Sequence, residues 1–149
     1  MRKLPIAIGL FAMLAVPGLA ADDPIAIRQA LMDSNGAAAA VAGGMMKDEI
    51  PYNPTVAKSA IMTWAAVAHA YGSFFPEGSL DPARSHASPK IWEDAAGFQK
   101  HLDEFGTLTA AAVKAAGKDG PADKAAFVAV AQPVLGTCKG CHQDFRTED

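Results

Sequence analysis

Residues 136–146 read GTCKGCHQDFR and contain the 2 cysteines of the chain, Cys138 and Cys141, with His142 directly after the second. The run before them, KAAFVAVA (124–131), is rich in alanine, which has the highest helix propensity. Three-residue spacing on a helix places both sulfurs on one face, one turn apart. The stretch therefore predicts a last helix that ends in two neighbouring thiols beside an imidazole.

The first residues have the pattern of a secretory signal peptide. Arg2 and Lys3 form a charged start, and residues 4–16 are apolar apart from one proline and one glycine. This apolar stretch is too short to span a bilayer, and small residues follow it. We expect cleavage after Ala20, export to the periplasm, and a mature domain of residues 21–149. A retained membrane anchor is the alternative.

The mature segment is acidic. Without Arg2 and Lys3 it has 11 Lys and Arg against 16 Asp and Glu, a net charge of −5. No basic stretch with interleaved aromatic residues occurs, which argues against nucleic acid as a partner. No second apolar run follows the signal, so we expect no membrane span after cleavage. A segment of this length forms one domain with one core.

Alanine tracts and the lack of alternating apolar and polar runs predict an all-α protein. Proline and glycine punctuation divides the chain into four helices. They are expected at about 24–44, 54–72, 89–117 and from 121 onward. Short connections favour antiparallel neighbours, and hence an up-down four-helix bundle. Pro133 lies inside the fourth helix, where we expect a kink or a division into two shorter helices.

One connection is much longer than the others. Residues 72–89, GSFFPEGSLDPARSHASP, are dense in Gly, Pro and Ser and form the longest irregular segment. Long loops of this kind often border a functional site. The segment is therefore a candidate wall of the site that the cysteines define.

Three chemical uses of Cys138 and Cys141 fit the sequence poorly. A disulfide between them would close a very small loop and stabilise the fold little. Thiol-disulfide catalysts place such a pair at the start of a helix after a strand, whereas this pair is at the far end of a helix. Zinc needs about four ligands, and His142 would supply only a third. The remaining histidines stand singly in the sequence: His69, His86 and His101.

A covalently bound haem uses every reactive group of CKGCH. Each thiol can add to one vinyl group of haem and form a thioether bond, and the imidazole of His142 can bind the iron. Two free thiols in an exported protein would otherwise tend to pair. The motif therefore predicts a c-type cytochrome with one covalent haem c.

A haem motif at the C-terminal end of a helical protein resembles class II cytochromes c, the family of cytochrome c′ and cytochrome c-556. Three further segments are similar to the family's first helix, helix-connecting loop and third helix, in that order. They are IRQALMDSNGAA (27–38), FFPEGS (74–79) and SPKIWEDAAGF (88–98). The resemblance covers essentially the whole mature chain and implies a four-helix bundle around the haem; Pro133 departs from the usual pattern.

The resemblance implies one of two states for the iron. In cytochromes c′ an apolar side chain blocks the face opposite the proximal histidine, and five-coordinate, high-spin iron binds nitric oxide or carbon monoxide. In the c-556 type a first-helix methionine is the sixth ligand, which gives low-spin iron suited to electron transfer. Met32 stands at the matching position and implies the second state. The alternative is that Met32 packs against the porphyrin without ligating; its rivals are Met45, Met46 and Met62.

The resemblance also implies roles for two arginines. Arg28 matches the residue that faces a haem propionate, with a surface salt bridge as the alternative, and Arg146 matches a basic residue near the proximal imidazole. Phe75 and Trp92 are expected in the core. We expect an electron carrier and not an enzyme, with other redox proteins as partners. Small residues in 37–44 would permit a homodimer through the first two helices.

Overall fold

The computed structural model describes residues 23–147, which form a four-helix bundle as predicted. The predicted signal peptide, residues 1–20, lies outside the described residues. The helices are α1 (Pro24–Met46), α2 (Pro54–Ala70), α3 (Lys90–Glu93), α4 (Ala95–Ala116) and α5 (Lys124–Phe145). α1 packs on α2, α2 on α4 and α4 on α5, and contacts between α1 and α5 close the bundle. A short 3₁₀ turn, Tyr71–Phe74, extends α2 towards the 75–89 loop.

The first two helices begin where capping residues predict. Asp23 Oδ1 accepts a hydrogen bond from the Ile25 backbone N–H at 3.0 Å, ahead of Pro24. Asn53 Oδ1 accepts from the Thr55 N–H at 2.9 Å, ahead of Pro54. In both cases a side-chain oxygen satisfies a helix N–H that has no intrahelical partner.

The third predicted helix is interrupted, so the expectation of one helix over 89–117 was wrong. Asp94 has φ −124° and ψ 60°, which are not helical angles. Its Oδ1 accepts a hydrogen bond from the Gly97 backbone N–H at 2.9 Å. A short polar side chain thus competes with the helix ladder and caps a new helix. The result is a single turn, α3, followed by the long α4.

α5 begins later than predicted and is not divided. Its N-cap is Asp123, whose Oδ1 accepts from the Ala126 N–H at 2.8 Å, so the helix starts at Lys124 and not at Pro121. Pro133 lies within the continuous helix, and both its ring and Ala129, whose carbonyl loses its helical donor, are exposed. Water can therefore replace the missing hydrogen bond, and division of the helix is avoided.

The core has two parts. The larger part lies along the bundle and includes the fully buried side chains of Met45, Trp64 and Phe127. The smaller part is at the α3 end and is centred on Ile91, Phe98 and Phe145. Tyr71, Phe75, Trp92, Leu102 and Cys141 pack against this smaller cluster. None of the helices formed by residues 23–147 is both long and apolar enough to cross a membrane.

Candidate functional site

A cavity of about 350 Å³ lies between α1, the 75–89 loop and the C-terminal part of α5. It brings together residues that the sequence places far apart. The predicted site residues among its lining are Arg28, Met32, Cys141, His142 and Arg146. Cys138 is not among the lining residues; it is half-buried one turn earlier on α5. The cavity is large enough for an organic ligand.

Met32 is placed differently from the other methionines of the bundle. It is half-buried on α1 and faces the cavity. Met45 is fully buried in the larger core, and Met46 packs against that core. Met62 is 47% exposed on α2. Of these four side chains, Met32 alone lines the cavity that also contains His142.

Aromatic rings form an apolar side of the cavity. The ring centroid of Phe75 lies 5.0 Å from that of Tyr71 and 4.9 Å from that of Phe98, both in edge-to-face geometry. Phe98 in turn meets Phe145 at 5.3 Å. Such contacts hold the rings in fixed orientations. A flat, largely hydrocarbon group would find a rigid apolar surface here.

Arg28 joins α1 to the loop that covers the cavity. Nη1 donates to the Phe74 carbonyl at 3.3 Å and to Ser79 Oγ at 3.0 Å. Nη2 donates to the Ser79 carbonyl at 2.8 Å and to Ser85 Oγ at 3.3 Å. The guanidinium also lies over the ring of Phe75, 5.0 Å from its centroid. The surface salt bridge considered for Arg28 is not what the structure contains, because the residue is 2% exposed.

The guanidinium of Arg28 is not paired with any carboxylate of residues 23–147, although the charge of Asp23 acts on it. Its Nε is buried without a hydrogen-bond partner. Burial lowers the pKa of Arg28, yet a guanidinium stays protonated in proteins. A buried positive charge is stabilised by an anion beside it. The cavity therefore fits a ligand that carries a carboxylate, as haem does.

The end of α5 is attached to the 75–89 loop by backbone contacts. Ala87 and Arg146 form an isolated antiparallel β-bridge, and the Ser88 N–H donates to the Phe145 carbonyl at 3.0 Å. The Thr147 N–H donates to the His86 carbonyl at 2.8 Å. Arg146 is the C-cap of α5: its backbone is extended, and its N–H donates to the His142 carbonyl at 3.1 Å.

The protonation states in the cavity suit a metal-binding imidazole. Burial lowers the pKa of His142, and the charge of Arg146 lowers it further. The neutral imidazole is the form that binds metals. Burial raises the pKa of the Cys138 thiol and raises the pKa of Cys141 to about 11, so both sulfurs keep their protons at neutral pH. The two thiols are free and not joined in a disulfide.

Three polar residues of the site escaped sequence reasoning. Ser79 and Ser85 accept hydrogen bonds from Arg28, and Tyr71 lines the cavity. The long polar loop predicted that the site would lie nearby, but no pattern in the loop distinguishes these serines from the others. Within residues 23–147 no three His, Cys, Asp or Glu side chains are grouped to hold a metal ion.

Comparison with known proteins identifies the family. The family model described as Cytochrome C' matches residues 23–146. A cytochrome c′ of Rhodopseudomonas palustris is 35% identical over 148 residues, covering 98% of each chain. A cytochrome c-556 of the same organism is 29% identical over 153 residues, covering 100% of this chain and 99% of the relative.

The structural comparison agrees. The solved cytochrome c′ from Rhodopseudomonas palustris superposes with a TM-score of 0.76 at 31% identity, covering 85% of this chain and 98% of that one. On sequence and fold together, the chain belongs to the cytochrome c′ family, and its cofactor is one covalent haem c.

Proposed function

We propose that this protein is a periplasmic one-electron carrier with low-spin iron. Cys138 and Cys141 would hold the haem through thioether bonds, and His142 and Met32 would bind its iron from the two faces. The observation that carries the proposal is that Met32 and His142 line one cavity from two different helices, α1 and α5. The positions of the other methionines support the proposal, because Met45 and Met46 belong to or pack against the larger core and Met62 is 47% exposed.

The ligand pair suits electron transfer. When bound, haem supplies one-electron exchange between ferric and ferrous iron. The thioether of Met32 is a soft ligand that raises the reduction potential, and the imidazole of His142 is kept neutral for ligation by burial and by Arg146. Neither residue makes or breaks a bond in a substrate, so the proposal includes no enzymatic activity.

The surrounding residues would hold the cofactor and limit access of water. Phe75, Phe98 and the other rings present apolar surface to the porphyrin. Arg28, buried without an anion, would bind a propionate, which removes the cost of its unpaired charge. Arg146 lies at the end of α5 and lines the same cavity, so its charge would raise the potential of the iron.

The second candidate is a five-coordinate, high-spin protein that binds nitric oxide or carbon monoxide. The sequence identities support this candidate, because the cytochrome c′ of Rhodopseudomonas palustris is 35% identical to the chain and the cytochrome c-556 is 29% identical. In that case Met32 would pack against the porphyrin and leave the sixth position open. The cavity has the same lining in both cases, and the difference is whether the sulfur bonds to iron.

The visible spectrum of the purified protein, oxidised and reduced, tests the proposal. Sharp low-spin bands, with no change when carbon monoxide is added, are the expected result. A broad high-spin Soret band with ready carbon monoxide binding would replace the electron carrier with the gas-binding candidate. A colourless protein from cells that attach haem c would remove both.

We propose in addition that two copies associate through α1 and α2. On α1 the exposed residues include Gly36, Ala37 and Ala40, which let another helix approach closely. On α2 the side chains of Val56 and Met62 are 39% and 47% exposed. Sedimentation of the holoprotein tests the association, and Ala40→Glu should shift a dimer to monomer without changing the spectrum.

A further inference from the structure

Tyr71 is a polar residue of the cavity lining that neither ligates the iron nor contacts Arg28 by a hydrogen bond. Tyr71 follows α2 at the start of the 3₁₀ turn, is half-buried, and lines the cavity. Its hydroxyl has no hydrogen-bond partner among residues 23–147, whereas the hydroxyl of Tyr52 donates to the Pro121 carbonyl. The hydroxyl is not among the buried atoms without a partner, so water or a ligand in the cavity can reach it.

Tyr71 and Arg28 share a neighbour that fixes both of them. The ring of Phe75 meets the ring of Tyr71 edge to face at 5.0 Å, and the guanidinium of Arg28 lies over Phe75 at 5.0 Å. Burial raises the pKa of Tyr71 to about 12; Cys141 raises it further, and the charge of Arg28 acts in the opposite direction. The phenol is therefore protonated at neutral pH and can donate a hydrogen bond.

Arg28 Nε is buried without a hydrogen-bond partner. The phenol O–H of Tyr71, another residue of the cavity lining, is a second donor with no acceptor among residues 23–147. The four contacts from Nη1 and Nη2 already go to the loop. The edge of a porphyrin is hydrocarbon except for its two propionates, which are the only carboxylates it offers. A carboxylate can accept from both donors, one at each oxygen.

We propose that Tyr71 donates a hydrogen bond to the haem propionate that Arg28 binds, and that this bond tunes the potential of the iron. The inference rests on the haem position described under the proposed function, but not on ligation by Met32. A donor draws negative charge away from the iron, and ferrous iron is then stabilised relative to ferric. Tyr71 is a positioning and tuning residue; it does not touch the iron.

The chain supplies its own control, because it has 2 tyrosines. Tyr71→Phe removes only the hydroxyl and keeps the packing on Phe75. Tyr52→Phe removes a hydroxyl that donates a hydrogen bond to the Pro121 carbonyl. This bond joins the segment before α2 to the segment before α5. Both variants are purified as haem-loaded protein, and haem content and helicity are compared with those of the original chain.

The midpoint potential and the resonance Raman bending mode of the propionates are then measured at one pH. Tyr71→Phe should lower the potential by a shift of at most about tenfold in the ferric–ferrous equilibrium, or about 59 mV for one electron, and should move the propionate mode. Tyr52→Phe should change neither. No shift in either quantity for Tyr71→Phe would overturn the proposal.

A second experiment strengthens the hydrogen bond instead of removing it, so the expected change in the midpoint potential has the opposite sign. Replacing tyrosine by 3-fluorotyrosine in the Tyr52→Phe background labels Tyr71 alone and makes its phenol a stronger donor. The potential should rise, and an unchanged or lower potential would overturn the proposal.

These outcomes are separate from those for the proposed function. High-spin iron in the unaltered protein would contradict ligation by Met32, but the effect of Tyr71→Phe on the propionate mode would remain. Low-spin iron with no effect of Tyr71→Phe would contradict only the role of the phenol.

Discussion

Arg28 in the first helix and Ser79 in the loop after the second, 51 residues apart, are joined by two hydrogen bonds. Nη1 donates to the serine Oγ at 3.0 Å and Nη2 to its carbonyl at 2.8 Å, and both residues are buried. A planar guanidinium can make such paired contacts because its donors are fixed in a fork. One side chain of α1 therefore holds the loop over the cavity from one side, while the backbone contacts with α5 hold it from the other.

Replacing Arg28 by Gln should lower the free energy of unfolding by about 2–4 kcal/mol, because several buried acceptors lose their donor. Arg28→Lys should recover only part of the loss, since an ammonium cannot reproduce the fork. Urea unfolding of the holoprotein measures both. Arg84→Gln is the control, because Arg84 is exposed and pairs only with exposed Asp23; an equal loss in this variant would contradict the role of burial.

Met32→Ala should convert low-spin to high-spin iron and create a carbon monoxide site. The substitution removes the sulfur and leaves space beside the sixth position, since the side chain lines the cavity. Optical spectra of both oxidation states, with and without carbon monoxide, check the result.

Two other methionines serve as matched controls for this prediction. Met45→Ala should keep the low-spin spectrum but cost about 2–5 kcal/mol of stability, because Met45 is fully buried in the core. Met62→Ala should change neither, since its side chain is 47% exposed. High-spin iron in Met45→Ala together with low-spin iron in Met32→Ala would show that Met45 is the ligand, which would contradict the proposal.

Gly120→Ala should cost more than about 3 kcal/mol, because two separate effects add. Gly120 has φ +90°, and a Cβ there would clash with the backbone oxygen of Pro54. Gly117→Ala isolates the first effect, since Gly117 has φ +59° with nothing within 4 Å of its Cβ position. That variant should cost about 1–2 kcal/mol from backbone strain alone. Thermal or urea unfolding compares them, and equal costs would exclude the steric contact with α2.

The pairing of Asp23 with Arg84 should make stability depend on pH in the acid range. The hydrogen bond from Arg84 lowers the pKa of Asp23 below its usual 3.8, so the unfolded chain binds a proton first as pH falls. The contribution is complete above 3.8 and disappears as pH falls through the folded-state pKa.

Asp23→Asn keeps an oxygen that can cap α1 and removes only the charge. Its unfolding midpoint should be lower than that of the original chain at neutral pH, and the gap should close in acid and shrink in high salt. Glu104→Gln, at an exposed site on α4, controls for net charge. A gap that persists unchanged at acid pH would show that the ion pair is not its cause.

The sequence predicts elements whose determinants are local. Asp23 and Asn53 cap their own helices, and the CKGCH motif has fixed spacing, so both can be recognised without the fold. Asp94 can either continue a helix or cap a new one, and the neighbouring residues in the sequence do not determine which of the two it does. The continuity of α5 through Pro133 depends on exposure of the ring and of Ala129, which only packing reveals.

The residues of the site likewise divide into those that the sequence predicts and those that only the fold reveals. Met32 and His142 were predicted because each occupies a place in a recognised motif or segment. The partners of Arg28 were not, because Phe74, Ser79 and Ser85 are brought to it by the path of a long loop. A hydroxyl in such a loop has no distinguishing signal until the fold gives it a neighbour.

Burial of the two thiols has a consequence for maturation. With a pKa of about 11, Cys141 is ionised in about one molecule in ten thousand at pH 7. Because the thiolate is the reactive form, the folded apoprotein is kinetically protected from oxidants and equally slow towards electrophiles. We therefore expect haem to add faster before this helix packs into the bundle, so that folding closes the interval in which the cysteines can be modified.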